Sequence, residues 1–181
     1  MHNEGNSNGN FEIANEYHRQ LWNFKSELNY YLGYNYYLTK EGKLIQARKD
    51  GEETAAVIGH NTNSLNCCLQ GDFSKEQPTI NQRHALREWL LKKKNEYNVP
   101  IENIGGHRTF QQNRTCPGIY LTESEIRAMA TPPEPPASIE IAKIGYYKRL
   151  LEQIRILLAQ LQNRLKLGHL GRDARCGGGR D

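Results

Sequence analysis

Residues 105–118 read GGHRTFQQNRTCPG, the stretch of this 181-residue chain densest in groups that do chemistry. A neutral imidazole and a thiolate are both good zinc ligands, and His107 and Cys116 stand nine residues apart across a loop. Pro117-Gly118 turns the chain just after the cysteine and so fixes the direction of its sulfur. Two ligands do not make a metal site, and a His and a Cys at this spacing also occur without one.

Moving toward the N-terminus, the pattern alternates between strand and helix. Residues 101–104 form a short segment leading into Gly105-Gly106-His107. Ahead of it, Pro78-Thr79 opens a helix, with Thr79 and Gln82 spaced as a capping box and Ala85, Leu86, Trp89 and Leu90 as the buried stripe. Lys92, Lys93 and Lys94 fall near its C-terminal turns, where the dipole favours cations, and read as a solvated helix end. Residues 64–70 (SLNCCLQ) are a short apolar run of buried-strand type, with Cys67 and Cys68 as apolar filler facing opposite sides of a sheet. Residues 34–39 and 43–47 flank Glu41-Gly42 and predict a β-hairpin. Phe11, Ile13, Tyr17, Leu21 and Phe24 recur at near-helical spacing and predict an amphipathic helix over 11–24. Interleaved strands and helices imply an α/β domain with a mixed central β-sheet flanked by helices.

On the C-terminal side the organisation changes at TPPEPP, residues 131–136, where four prolines form a semi-rigid linker. Beyond it, Ile144, Leu151, Leu158 and Leu165 repeat every seven residues, and Tyr147, Ile154 and Leu161 follow three behind. This is an a/d seam of an amphipathic, coiled-coil-like helix over 137–168, widened by Leu150 and Leu157. Such a stripe zips with copies of itself, docks back on the domain or lies on a membrane surface. Self-association into a homo-oligomer through residues 144–165 is the preferred reading. Residues 169–181 are predicted to be a disordered tail.

Composition narrows the function classes. Net charge is +4, but residues 1–136 carry 15 Lys and Arg against 16 Asp and Glu, while residues 137–181 carry 9 against 4. The surplus belongs to the tail, so the body lacks the footprint of a nucleic-acid binder and no nucleic-acid partner is expected. Mean hydropathy is −0.80 and no long apolar run offers a transmembrane segment. Residues 1–10 (MHNEGNSNGN) have neither the basic nor the apolar region of a signal peptide. Four Cys are too few for a disulfide scaffold.

GHRTFQQNRTCPG is similar to the metal-binding segment of the zinc-dependent N-acetylmuramoyl-L-alanine amidases, the family of the phage amidase-type lysozymes and the peptidoglycan recognition proteins. The resemblance extends further: LGYNYYLTKEGKLIQAR (32–48) resembles the family's tyrosine-bearing hairpin, and NTNSLNCCLQGDF (61–73) its central strand and following turn. PTINQRHALREWL resembles its long helix, and VPIENIGGH the approach to its second metal histidine. Most of residues 11–120 are covered in the family's order.

The resemblance implies a zinc ion with His107 and Cys116 as two of three protein ligands. The third is a His at the end of the family's first strand, which falls ahead of residue 1. The domain over 1–130 is therefore read as lacking that strand, and His2 is assigned as the remaining ligand with His18 as its competitor. Tyr34 matches a tyrosine that lies beside the metal, and Arg114, where members carry Lys or Thr, would stabilise an oxyanion electrostatically. The substrate-contacting histidine of the family falls on Ala56. His60 and Asn61 are the substrate-binding candidates in its place, with a solvent-facing loop histidine as the plain alternative for His60. Where one branch carries a catalytic Glu on the central strand, this chain has Cys67, Cys68 and Gln70, which leaves Tyr34 as the candidate near the nucleophile. The implied activity is zinc-dependent hydrolysis of the amide between N-acetylmuramic acid and L-alanine in peptidoglycan. The alternative is a catalytically inactive peptidoglycan-binding module with an oligomerising tail. Without a signal peptide, the expected setting is the cytoplasm, or a phage lysin released to the cell wall.

Overall fold

Three helices of the N-terminal unit begin where a short polar side chain accepts a backbone N–H that the helix leaves unpaired. Asn10 caps α1 (Phe11–Trp22) through Ile13 N. Thr79 and Gln82 form the expected capping box of α2 (Ile80–Glu96), and Thr122 and Glu125 form another at α4 (Glu123–Met129). Between α2 and α4 lie a 3₁₀ turn, Ile101–Asn103, and the short α3, His107–Phe110. The computed structural model describes residues 1–134 and 137–173. It divides into two units, Met1–Pro132 and Pro133–Asp181.

Four strands build one mixed sheet in the order β1-β4-β2-β3, with β1 His2–Asn3, β2 Tyr36–Leu38, β3 Leu44–Gln46 and β4 Cys67–Leu69. β2 and β3 are the antiparallel hairpin expected from residues 34–47, and Gly42 supplies the positive φ (+87°) that its turn needs. β4 runs parallel to β2 on one side and to β1 on the other, pairing His2 with Cys68, so the first strand read as missing is present as the two residues His2–Asn3. Because successive side chains point to opposite faces, Tyr36, Leu38, Cys67 and Leu69 pack with α2 and α4, whereas Tyr37 and Cys68 pack with Phe11 and Ala14 of α1. The adjacent cysteines thus face opposite layers, as their spacing predicts.

Two local expectations change. The buried face of α1 is Phe11, Ala14 and His18, while Ile13, Tyr17 and Leu21 are exposed. Both sets have helical spacing, and the sheet selects the one that places His18 under the loop at Gly33, whose N–H donates to His18 Nδ1 (2.9 Å). Phe24 lies beyond the helix, which stops at an αL Asn23, and the Arg48 guanidinium stacks 4.0 Å over its ring. Nor is Lys93 a solvated helix end: its ammonium pairs with Asp50 and Glu96, because the turn after β3 brings Asp50 against α2.

Arg48 is fully buried, and a buried charge is costly unless it is paired and hydrogen-bonded. Its guanidinium donates to the carbonyls of Phe24, Leu32 (2.7 Å) and Glu53 (3.3 Å) and pairs with Glu52. That web holds the loop that carries Tyr34.

The C-terminal unit is α5, Ala137–Asp173. Its heptad residues Ile144, Tyr147, Leu151, Ile154, Leu158 and Leu161 are exposed. The helix passes the expected end at residue 168, so residues 169–173 of the expected tail are helical, and residues 174–181 lie outside the described residues. The linker at 131–136 falls partly outside them too, at Pro135 and Pro136. Among the described residues, no helix is long and apolar enough to cross a membrane.

Burial, and secondarily the Arg48 charge, depresses the pKa of His18 to about 4 from its ordinary 6.5. The unfolded chain then takes up a proton at this residue between those values while the folded one does not, so acid destabilises the fold across that window. Thermal melts of wild type and His18→Gln from pH 6.5 to 4 check this. Wild type should lose more Tm over the interval, and a parallel decline would remove His18 from the account.

Candidate metal centre

Three chain segments converge at the C-terminal end of β1. Met1 N donates to Gly105 O (2.7 Å) and His107 N to Met1 O (3.0 Å), a parallel ladder that lays residues 105–107 beside the start of the chain. That ladder, with the pairing of His2 to Cys68, places His2 and His107 rings 4.8 Å apart, edge to face. The loop between α3 and α4 then delivers Cys116.

This loop is held by one ion pair. Arg108, on α3, pairs with Glu123 at the start of α4 (3.1 Å). The same guanidinium donates to the carbonyls of Thr115 (3.1 Å), Gly118 (2.8 Å) and Leu121 (2.7 Å), and Arg108 N bonds Cys116 O (3.0 Å). Glu123 also accepts from Gly106 N (2.9 Å) and Thr109 Oγ1 (2.5 Å). These donors outweigh its burial and hold the carboxyl below the usual carboxylate range. Gly118 is required where the loop passes Phe73, since φ is +111° and a Cβ would sit 2.3 Å from the Phe73 carbonyl carbon.

One ligand atom from each of His2, His107 and Cys116 lies within 4.8 Å of the others. His2 Nδ1 stands 3.9 Å from Cys116 Sγ. The remaining nitrogen of each ring is engaged: His2 Nε2 with Asn66 Oδ1 (3.2 Å) and His107 Nε2 with Gln111 Oε1 (2.5 Å). Asn3 N donates to Cys116 Sγ (3.4 Å), a contact that favours the thiolate. Burial, joined by the Met1 ammonium and His107, holds the His2 pKa well below its ordinary value. Burial lowers His107 too, aided by the Arg114 charge. Both shifts favour the neutral ring, the form in which an imidazole binds a metal. Burial also raises the Cys116 thiol, against the pull of Asn3 N–H, the terminal ammonium, Arg108 and Arg114. Two neutral imidazoles and a thiol aimed at one point suit zinc, whose catalytic sites take three protein ligands and leave one position open.

The other candidates are distributed around this cluster. Tyr34 stacks against His2 with ring centroids 4.7 Å apart, and burial followed by the thiols of Cys68 and Cys116 pushes its phenol well above the ordinary range. Arg114 is exposed on the loop between His107 and Cys116. His60 is exposed, with its ring 5.5 Å from Phe110. Asn61 spends its amide oxygen on Ala56 N (2.9 Å) and Val57 N (2.8 Å), which shapes the loop below His60. His18 is not one of the three: its Nδ1 accepts from Gly33 N, and its ring lies 5.6 Å from that of Tyr34. A cleft of about 640 Å³ opens beside His107, lined among others by His60, Leu65, Trp89, Ile104 and Phe110. The buried indole N–H of Trp89 has no partner among the described residues.

Sequence reasoning missed Asn3, Asn66, Gln111 and the Arg108–Glu123 pair. Arg108 and Gln111 lay in the quoted motif, but no spacing rule links Arg108 to a glutamate fifteen residues on.

The family model of N-acetylmuramoyl-L-alanine amidase matches residues 1–119. Among curated protein sequences none matches. Solved structures share the fold. The N-acetylmuramoyl-L-alanine amidase LysC from Clostridium intestinale URNW is 23% identical, with 70% of this chain and 79% of that one covered at a TM-score of 0.61. The Ph2119 endolysin from Thermus scotoductus MAT2119 bacteriophage Ph2119 is 19% identical, with 72% and 82% covered at 0.57. PGRP-SA of Apis mellifera is 17% identical, with 70% and 78% covered at 0.58.

A ligand that binds only the folded state stabilises it, by about 2.7 kcal/mol at a hundredfold excess over its Kd. Added zinc should raise the Tm of the wild-type chain, and His107→Ala should lose that rise. An equal rise in both would place the bound zinc elsewhere.

Proposed function

The chain belongs to the N-acetylmuramoyl-L-alanine amidase family, and from that membership together with the His2–His107–Cys116 cluster we propose a zinc-dependent peptidoglycan hydrolase. Its bond is the amide between the lactyl group of N-acetylmuramic acid and L-alanine. The observation that carries this reading is the convergence of two imidazoles and a thiol beside a cleft that His107 lines. Zinc held by these residues would supply a Lewis acid for the scissile carbonyl and would lower the pKa of a water toward neutrality.

The chain's own groups supply the rest. His2, His107 and Cys116 hold the metal. Tyr34, against the His2 ring, keeps its proton and orients the attacking water by hydrogen bonding. Arg114, close enough for its charge to depress His107, stabilises negative charge developing on the carbonyl oxygen. It acts as a fixed cation, because a guanidinium is effectively always protonated. His60 and Phe110 form one wall of the cleft, where the peptide stem is placed.

The favoured setting is a phage-type lysin acting on the wall, in keeping with the endolysin among the structural neighbours. The +5 tail adds attraction to the acidic wall polymer. The exposed seam of α5 joins copies of the chain, so that several weak wall contacts act together.

Incubation with purified peptidoglycan should release new alanine amino groups, stop on chelation and resume with zinc. Cys116→Ser should abolish release, and Tyr34→Phe should slow it about a hundredfold. Wall binding without release by the zinc-loaded wild type would leave the inactive binding module as the function. For the tail, sedimentation should show association that rises with concentration and is lost in Leu151→Lys/Leu158→Lys. A monomer at every concentration would refute it.

A further inference from the structure

We propose that Asn66 is the positioning residue for His2: it fixes the ring's tautomer so that the bare lone pair of Nδ1 faces Cys116, and it takes that polarity from the loop over residues 54–64. The inference rests on the zinc reading only for its purpose. The direction of the proton chain stands on hydrogen bonds alone.

The chain starts at two groups that can only accept, the backbone carbonyls of His60 and Asn61. Ser64 Oγ donates to His60 O (2.6 Å), and Thr54 Oγ1 donates to Asn61 O (3.2 Å). A hydroxyl has one proton, so each now meets its next neighbour as an acceptor. That neighbour is Asn66: its side-chain nitrogen lies 3.0 Å from Ser64 Oγ and 3.3 Å from Thr54 Oγ1. The two hydroxyls therefore select the rotation of the amide that turns NH₂ toward them. Oδ1 is left facing His2 Nε2 at 3.2 Å, and an amide oxygen can only accept. Nε2 must then carry the proton in the neutral ring, and Nδ1 is the bare nitrogen.

The device is built for rigidity. Asn66 and His2 are 3% and 1% exposed, so an unpaired polar atom at either would be costly. Asn66 N bonds Asn35 Oδ1 (2.9 Å), and Asn35 Nδ2 bonds Lys49 O (3.0 Å), which fixes the residue from its backbone side as well. The outer partners of metal-binding histidines commonly set tautomer and ring orientation, and their loss weakens metal binding about 10–100-fold. Here the partner is a neutral amide, so its orientation, unlike that of a symmetric carboxylate, depends on what lies behind it. The carbonyls that start the chain belong to His60 and Asn61, in the loop that walls the cleft. Its conformation and the readiness of His2 are thereby linked.

Nitrogen NMR of histidine-labelled, metal-free protein, at a pH above the imidazole range, reads the tautomer directly. Competition with a chromophoric chelator reads zinc affinity on the same samples. Wild-type His2 should be protonated at Nε2. Asn66→Ala should give mixed tautomers and a zinc Kd raised about tenfold or more. Asn66→Asp, which keeps an acceptor toward Nε2, should restore both. Should Asn66→Ala not fold, Thr54→Val/Ser64→Ala leaves Asn66 in place but frees its amide, and should give mixed tautomers with a Kd raised at least threefold. A pure Nε2–H tautomer with unchanged Kd in the folded variants would overturn the proposal, as would Nδ1 protonation in wild type. Failure of wild type to bind zinc would overturn the metal reading while leaving the tautomer result to stand by itself.

Discussion

Everything at the candidate metal centre depends on the short parallel ladder that lays Met1–Asn3 between β4 and residues 105–107. Its bonds are few: Met1 N to Gly105 O, His107 N to Met1 O, and the β1–β4 pairing at His2 and Asn3. They bring together His2 and Cys116, side chains 114 residues apart in sequence. A loop closure of that length is entropically expensive, and each doubling of length adds only about 0.6 kcal/mol. The cost is thus met mainly by the core that buries Met1 with Leu69, Trp89, Leu90 and Ile104. Burial of the terminal ammonium, which lowers its pKa, adds a separate desolvation cost.

The second constraint is the Arg108–Glu123 clamp. A guanidinium that satisfies three carbonyls of one loop while pairing with a half-buried carboxylate converts a mobile connection into a fixed one. Cys116 gains its direction from this clamp, and His107 gains its position from the β1 ladder. The centre is therefore preorganised by backbone bonds and one ion pair before any metal contributes.

The sequence made some of this legible. A capping box has a fixed three-residue offset, so Thr79 and Gln82 announced the start of α2, and Glu41-Gly42 announced the hairpin. The pair His107 and Cys116 was visible as chemistry, and family resemblance supplied Tyr34 and the search for a first ligand that ended at His2. Long-range choices were not legible. Two stripes of α1 have helical spacing, and only packing on the sheet decides that Ala14 and His18 go in while Ile13 and Tyr17 stay out. Lys93 looked like one of three equivalent lysines until Asp50 arrived from a distant turn. Asn66 sits in an apolar run where a polar residue carries no local signal; its meaning comes from the four hydrogen-bonding partners the fold places around its side chain and amide.

The centre's identity is tested most directly by X-ray absorption at the zinc edge on protein loaded with one equivalent of zinc. The account requires one sulfur at about 2.3 Å and two imidazole nitrogens at about 2.0–2.1 Å, the distances expected for Cys116 with His2 and His107. A shell made only of nitrogen and oxygen, or one with a single imidazole, would contradict it.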